Sequence, residues 1–274
     1  MFRGTAGRVA DGEPDYPYLR FGHAHNDYRH RRPLLAALHF GYASVEADVF
    51  PVRGDLLVGH SRRELAPHRT LTRLYLEPLA ERVRRLGAVY PGAPRGLQLL
   101  VEAKDEPVEC CTLLAEQLGR YPGLFTRYAG DAVHSGPVSV VVTGAGTPHE
   151  FVAEWPERLL GCDGTLAEVS GKRLPPQLVP LVSERWTNLF RWRGNGPFPA
   201  RERRRLAELV DRVHADGRAL RFWGGPSWRS GVRRRFWRAL ATAGVDYLGS
   251  DHLRELADLA ADLRTPASAP DPTG

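Results

Sequence analysis

The chain has 274 residues, of which 42% are hydrophobic and 26% are charged. These proportions exclude a disordered chain and a collagen-like repeat, and three cysteines are too few for a disulfide scaffold. The net charge of +6 suits a nucleic acid, a membrane surface or an anionic substrate, and does not distinguish among them.

Short apolar runs alternate with amphipathic stretches along the chain, and eight of these runs have the length and composition of strands. Between them, apolar residues recur three and four positions apart, as on one face of a helix. Two such faces are Leu206, Leu209, Val210 and Val213, and then Val232, Phe236, Trp237 and Leu240. The predicted strands are Leu19–Gly22, Ala43–Val49, Leu97–Val101, Val138–Val142, Leu159–Leu166, Leu178–Val182, Ala219–Trp223 and Val245–Leu248.

This alternation predicts an α/β protein with a parallel sheet, and eight units in about 250 residues predict a closed TIM barrel, (β/α)8. An open doubly wound sheet competes, but no glycine-rich phosphate fingerprint follows the first strand. Ser170–Gln177 contains Pro175 and Pro176 and is too short for a full helix, so we expect a distorted barrel there. The barrel domain is predicted to span residues 15–264, with a flexible N-terminus at 1–14 and a disordered tail at 265–274.

No apolar run approaches the ~20 residues of a membrane span, and the first twenty residues lack the core of a signal peptide. We therefore expect a cytoplasmic monomer without a transmembrane segment, and leave peripheral membrane contact open. The basic runs Arg201–Arg205 and Arg233–Arg235 fall on predicted surface helices, where a solvated face explains them. Because no aromatic residues interleave such a run as a nucleic-acid motif, we predict no nucleic-acid partner.

Polar residues cluster where a barrel builds its active site, at the carboxyl ends of the strands. The first strand ends in His23, Ala24, His25, Asn26, Asp27 and Tyr28. The second carries Glu46 and Asp48, which share one face because side chains alternate along a strand. Two carboxylates inside a barrel repel each other unless a proton or a cation lies between them, and a hard cation satisfies both.

The third strand adds Glu102 and Lys104, again two positions apart and on one face. After the second strand, Pro51–Val58 with its turn at Arg53-Gly54-Asp55 predicts a hairpin that brings His60 back to the same mouth. Three carboxylates and two histidines are therefore expected around one cation, a set suited to phosphate chemistry.

These motifs resemble the phospholipase C-like phosphodiesterase superfamily, which contains the glycerophosphodiester phosphodiesterases and spider sphingomyelinase D. His25-Asn26-Asp27-Tyr28 resembles the signature of the branch named for altered inheritance of mitochondria. The resemblance spans about residues 19–256 and includes Trp223 and Ala243-Gly244-Val245-Asp246 near the end. Its further motifs are Gly22-His23-x-x-Asn26, Glu46-x-Asp48, Gly59-His60 and Glu102-x-Lys104.

The resemblance implies a distorted TIM barrel acting on a small-molecule or lipid phosphodiester with one divalent cation, Mg²⁺ or Ca²⁺. It implies His23 and His60 as the acid/base pair, Glu46, Asp48 and Glu102 as metal ligands, and Lys104, Trp223, His25 and Asn26 as substrate contacts. Two departures limit it. Ala24 and Ser61 stand where glycerophosphodiesterases have Arg and Asp, so glycerol-phosphate specificity does not follow, and Ser61–Arg73 lacks the cysteine of the spider enzyme's loop.

The expected reaction is attack at phosphorus, with His23 as the base on the nucleophile side and His60 as the acid for the leaving group. The two roles are interchangeable at this stage, and His23 could instead attack phosphorus directly. A lyase that releases a cyclic phosphate uses the same residues. A barrel that binds an anionic lipid without catalysis is a further alternative.

Some polar or aromatic residues near the mouth allow a structural as well as a functional interpretation. His25, Asp27 and Tyr28 lie beside Asn26 in a strand-to-helix loop, where turn and cap chemistry is as good an explanation as function. Trp223 could be core or a wall of the substrate site, and Asp251 follows the last strand as a weaker site candidate.

Overall fold

The structure, a computed structural model, describes residues 16–171 and 174–264. The terminal segments predicted at 1–14 and 265–274 lie outside these ranges. Within the described residues the strands are β1 (Leu19–Ala24), β2 (Tyr42–Val52), β3 (Asp55–Val58), β4 (Leu97–Ala103), β5 (Arg127–Ala129), β6 (Ala132–His134), β7 (Val138–Thr143), β8 (Glu157–Arg158), β9 (Gly161–Gly164), β10 (Leu181–Arg185), β11 (Ala219–Trp223) and β12 (Tyr247–Ser250).

Helices follow most of the parallel strands. They are α1 (Leu35–His39), α2 (Glu77–Leu86), α3 (Pro107–Leu118), α4 (His149–Ala153), α5 (Leu166–Gly171), α6 (Trp186–Leu189), α7 (Ala200–Ala215), α8 (Ser230–Thr242) and α9 (Leu253–Arg264). A 3-10 turn at Asp27–Arg29 follows β1, another at Arg62–Glu64 follows β3, and a π-helical turn at Thr72–Leu76 leads into α2.

Eight parallel strands close into a barrel. Their spatial order is β1-β12-β11-β10-β9-β7-β4-β2, and β1 also pairs with β2, which completes the circle. Each strand predicted from the sequence overlaps one of these eight, so the TIM barrel prediction is confirmed. Between β9 and β10, where the weak unit was predicted, the described residues form the six-residue helix α5.

The hairpin predicted after the second strand is present. β3 runs antiparallel to the end of β2, with Val52 opposite Asp55. Between them Arg53 and Gly54 have φ of 53° and 79°, and two left-handed residues make a turn whose twist matches that of the strands. The polypeptide therefore reverses beside the barrel mouth and leads directly to His60.

The apolar faces predicted for two helices pack onto the barrel. Leu206 of α7 and Phe236 of α8 are buried with the other members of their faces. Arg203 is exposed as expected for a solvated basic run, but Arg233 is buried, which corrects that interpretation for the second run. A small antiparallel sheet of β5, β6 and β8 was not predicted. No helix in residues 16–171 or 174–264 has both the length and the apolar character to cross a bilayer.

Candidate metal and phosphodiester site

His23 lies deep in the barrel, with a side chain that is 0% exposed. Its Nδ1 is 2.8 Å from Ser44 Oγ and its Nε2 is 3.0 Å from Glu46 Oε2, so both ring nitrogens are engaged. Burial, reinforced by the positive charge of Arg221, lowers the pKa of His23 to about 4 and keeps the ring neutral. In this position the ring contacts Glu46 and has no exposed surface, and the acid/base role of His23 stays a prediction.

His25 occupies the next layer of the same barrel face, because alternate residues of a strand point the same way. It is 40% exposed, and its Nδ1 lies 2.8 Å from Asp251 Oδ1. Its Nε2 is 3.6 Å from Glu46 Oε1. Burial alone would lower the pKa of His25, but the hydrogen bond to Asp251 and the charge of Glu46 outweigh it, and the pKa is raised.

His60 reaches the mouth from the other side, at the end of the β2–β3 hairpin. It is 48% exposed, and its Nδ1 lies 2.9 Å from Asp48 Oδ2. The Glu64 carboxylate accepts a 2.9 Å hydrogen bond from the backbone N–H of His60 and holds the loop. Both exposed histidines thus have Nδ1 on an aspartate, an arrangement that orients the ring.

Glu46, Asp48 and Glu102 converge as predicted. They lie on the neighbouring strands β2 and β4, and one carboxylate oxygen from each lies within 4.8 Å of the others. Oxygens that share a divalent cation at about 2.0–2.6 Å are at most about 5 Å apart, so the spacing fits one ion. Asp48 Oδ1 is buried and has no hydrogen-bond partner among the described residues, which leaves it available as a ligand.

Two side-chain cations offset part of this negative charge. Arg221 of β11 donates a 2.6 Å hydrogen bond to Glu46 Oε2. Lys104 donates to Glu102 Oε1 at 2.9 Å, and its ammonium is 3.5 Å from Asp48 Oδ2. Even so, burial, and after it the charge of Asp48, raises the pKa of Glu102. Three carboxylates against two cations leave a site that favours additional positive charge, as a divalent ion provides.

The residues after β1 form a linked network. Asn26 has a φ of 49°, a left-handed conformation that Asn tolerates, and it turns the chain into the 3-10 turn. The Tyr28 hydroxyl is buried and donates to Asp48 Oδ2 at 2.8 Å, while the Asn26 Oδ1 lies 2.6 Å from the same hydroxyl. Asp27 faces away from the carboxylates and accepts hydrogen bonds from the Tyr75 hydroxyl and the Leu34 N–H. Tyr28 therefore touches the site, whereas Asp27 stabilises the loop.

Trp223 stands at the rim, 45% exposed, at the carboxyl end of β11. The guanidinium of Arg185 lies 5.4 Å from the centre of its ring. A cavity of about 190 Å³ opens between this rim and His25. A larger cavity of about 780 Å³ lies at the opposite, amino-terminal end of the strands and is lined by no histidine or carboxylate among the described residues.

Arg221 contacts the site, although in the sequence it is one residue among others of the predicted strand Ala219–Trp223. An arginine two positions before Trp223, on the barrel-facing side, signals a buried partner of opposite charge. The same alternation places His23 and His25 on one barrel face, as it does Glu46 and Asp48. His23 comes earlier along the chain and lies deeper, whereas His25 lies nearer the mouth.

Comparisons with known proteins agree with this architecture. A glycerophosphoryl diester phosphodiesterase of Parabacteroides distasonis has the same fold, with a TM-score of 0.54 over 92% of this chain and 90% of that one at 14% identity. Altered inheritance of mitochondria protein 6 of Eremothecium gossypii is 32% identical over 89% of this chain and 70% of its own length. Its homologue in Arthroderma benhamiae is 26% identical over 84% of this chain and 80% of its own length. Residues 20–159 match the AIM6-like phosphodiesterase domain, and the chain belongs to that family.

Proposed function

We propose that the protein is a metal-dependent phosphodiesterase in which His25 and His60 act as the acid/base pair. The observation that carries the proposal is the convergence of three carboxylates between two half-exposed histidines, each held on Nδ1 by an aspartate. His23, the histidine first predicted for this role, is reassigned to positioning Glu46. The fold relationship to a phosphodiesterase supports the reaction class, while the residue roles rest on the geometry.

Glu46, Asp48 and Glu102 would hold the cation, either Mg²⁺ or Ca²⁺, through oxygen ligands. When bound there, the cation supplies electrostatic stabilisation for the negative charge that builds up on the phosphoryl oxygens. Lys104 would add a second positive charge near the same oxygens, since its ammonium lies between Asp48 and Glu102. Such charge stabilisation is usually the largest part of catalysis at phosphorus.

The two histidines would move the protons. One takes a proton from the attacking water, and the other gives a proton to the leaving alkoxide, so that a phosphomonoester and an alcohol are formed. His60 has its Nδ1 engaged by Asp48, and its Nε2 has no partner among the described residues, so this nitrogen is available to a substrate. If a hydroxyl of the substrate attacks instead of water, the same groups release a cyclic phosphate.

The test is ³¹P NMR of purified protein with a panel of glycerophosphodiesters, lysophospholipids and cyclic nucleotides. Turnover should vanish in excess chelator and return with Mg²⁺ or Ca²⁺, and the product spectrum separates a linear monoester from a cyclic phosphate. Full activity in chelator contradicts the metal dependence. No turnover of any diester in the presence of metal favours a barrel that only binds its ligand.

A matched pair of variants tests the site independently of turnover. Asp48→Asn should lose calorimetric binding of the divalent cation together with activity, because Asp48 supplies a buried ligand oxygen. Asp105→Asn is the control, since Asp105 is exposed and pairs with Arg62. Equal metal affinity in the two variants contradicts the assignment of the site.

A further inference from the structure

Charge is distributed unevenly around the mouth of the barrel. On the side of β2 and β4, the exposed Arg62 pairs with Asp105. The segments 185–199 and 224–229, at the carboxyl ends of β10 and β11, contain four arginines and no aspartate or glutamate. All four are exposed, and none has a carboxylate partner among the described residues. They are Arg185, Arg191, Arg193 and Arg229.

Carboxylates from neighbouring elements do not neutralise this side of the mouth. Glu202 of α7 accepts hydrogen bonds from the backbone N–H groups of Arg191 and Trp192, at 3.2 and 3.1 Å. Glu184 of β10 accepts a 2.8 Å hydrogen bond from the Leu166 N–H. Both carboxylates therefore hold the backbone, and neither forms an ion pair with an arginine in the described part of the chain.

Among the four arginines, Arg185 has the position that overlooks the site. Arg221 reaches Glu46 inside the barrel, so its face of β11 is the interior face. Trp223 lies two residues further on the same face, and Arg185 is directly opposite Trp223 in the register of β10 and β11. The backbone of Arg185 is thus about two residues, or ~7 Å, closer to the opening than the backbone of Arg221.

Trp223 restrains the side chain of Arg185. The guanidinium carbon lies 5.4 Å from the centre of the indole ring, a cation–π contact. The contact uses the face of the ring, and the guanidinium N–H groups have no hydrogen-bond acceptor among the described residues. A planar group held in this way keeps its fork of donors for a carboxylate or phosphate, which it binds through two parallel hydrogen bonds.

We propose that the substrate carries a second anionic group, a phosphate or a carboxylate, and that Arg185 binds it. The inference rests on the proposed phosphodiesterase function. The reacting phosphodiester lies at the three carboxylates and their cation, and the second anion lies about 7 Å away, toward β10 and β11. Arg185 is then a specificity residue, which favours a doubly charged substrate over a diester whose other substituents are neutral.

The experiment compares three methyl phosphodiesters of one three-carbon alcohol. The far end of the alcohol carries a hydroxyl, a carboxylate or a phosphate, so the spacer is constant and only the charge changes. At low salt, kcat/KM for the phosphate compound should exceed that for the hydroxyl compound by about fivefold, the upper end for an exposed ion pair. The carboxylate compound should lie between them. In 0.5 M salt the preference should shrink, because exposed charges are screened.

Three variants separate Arg185 from the general positive charge of the protein. Arg185→Gln should reduce the preference to less than about twofold. Arg185→Lys keeps the charge without the paired donors and should retain part of the preference. Arg203→Gln is the control, since it removes the same charge from the exposed surface of α7 and should keep the wild-type preference.

Two results overturn the proposal. One is a wild type that does not prefer the doubly charged diesters. The other is an equal preference in Arg185→Gln and Arg203→Gln, which would assign the selectivity to the bound cation or to the net charge. If the wild type shows no preference but floats with phosphatidylglycerol vesicles, and Arg185→Gln does not, the arginine serves an anionic lipid surface instead.

If no diester is cleaved, the proposed function fails, and the anion site is tested separately. Isothermal titration calorimetry in the presence of Mg²⁺ compares 1,3-propanediol bisphosphate with the monophosphate of the same diol. Tighter binding of the bisphosphate, lost in Arg185→Gln and kept in Arg203→Gln, supports the site. Equal affinity for the two ligands in the wild type, or equal losses in the two variants, overturns it.

Discussion

Separate substitutions of His23 and His25 should have different effects: loss of His23 should lower stability, and loss of His25 should lower the catalytic rate. His23→Ala removes two hydrogen bonds in a fully buried site, one of them to a charged partner, Glu46. A neutral bond is worth about 1 kcal/mol and a bond to a charged group about 1.5–3 kcal/mol, so the free energy of unfolding should fall by about 2.5–4 kcal/mol. At about 2–4 °C for each kcal/mol, the melting temperature should fall by roughly 5–16 °C.

His25→Ala should lower the catalytic rate and leave stability almost unchanged. His25 and Asp251 are 40% and 53% exposed, and ion pairs at such sites contribute about 0–1 kcal/mol. The melting temperature should therefore change little, whereas kcat should fall at least ~10²-fold, the usual effect of removing a positioned acid or base. That loss corresponds to about 2.7 kcal/mol of activation free energy.

Thermal melts and steady-state kinetics on the same preparations measure both effects. His23→Gln, whose amide offers one donor and one acceptor, is the milder variant in case His23→Ala does not fold. A diester with a 4-nitrophenol leaving group should rescue His25→Ala but not His60→Ala if His25 protonates the leaving group. The assignment is wrong if folded His23→Gln loses activity ~10²-fold while His25→Ala retains it.

Three further substitutions have signs that follow from the geometry. Burial raises the pKa of Asp163 from 3.8 to about 6, so folding favours the protonated form of this side chain. The contribution of Asp163 to folding stability is therefore fully present below about pH 4 and is lost as pH rises through 6. Asp163→Asn still accepts the hydrogen bond of Thr143 and should reduce the pH dependence of the free energy of unfolding, measured in urea, over that range. An unchanged pH dependence would contradict this prediction. Glu46→Gln should destabilise the metal-free protein by about 3–5 kcal/mol in chemical denaturation, because it leaves Arg221 buried without its carboxylate partner. A variant more stable than the wild type would show instead that repulsion among the carboxylates dominates. Lys104→Arg should lower kcat more than it raises KM, since a guanidinium does not reproduce a compact ammonium between two carboxylates, and an unaltered kcat/KM would mean that only the charge matters.

The barrel could be predicted because its signal is spread over many residues. Eight apolar runs in alternation with amphipathic stretches specify β1, β2 and their successors even where the ends are misjudged by a few residues. The side sheet of β5, β6 and β8 carries no such signal, because β6 is exposed and all three strands are short. Its pairing depends on tertiary position, which local patterns do not contain.

The site was predictable in its acidic half. Glu46, Asp48 and Glu102 stand at regular positions on adjacent strands, so the strand period alone brings them together. Arg221 could not be paired with Glu46 from the sequence, because 175 residues separate them and only barrel closure makes them neighbours. The exposure of His25 and the burial of His23 likewise depend on how far each layer lies from the barrel mouth.

The seam where the barrel closes has a consequence for how the protein is made. β1 pairs with β12, and His25 near the seam depends on Asp251, which lies 226 residues further along the chain. The carboxylates and His60 are all synthesised within the first 102 residues, whereas Arg221 and Asp251 emerge more than a hundred residues later. An incomplete chain on the ribosome can therefore carry the acidic half of the site while His25 still lacks its partner. Only the arrival of the last strand completes the pair of histidines, so the full site and the finished chain appear together.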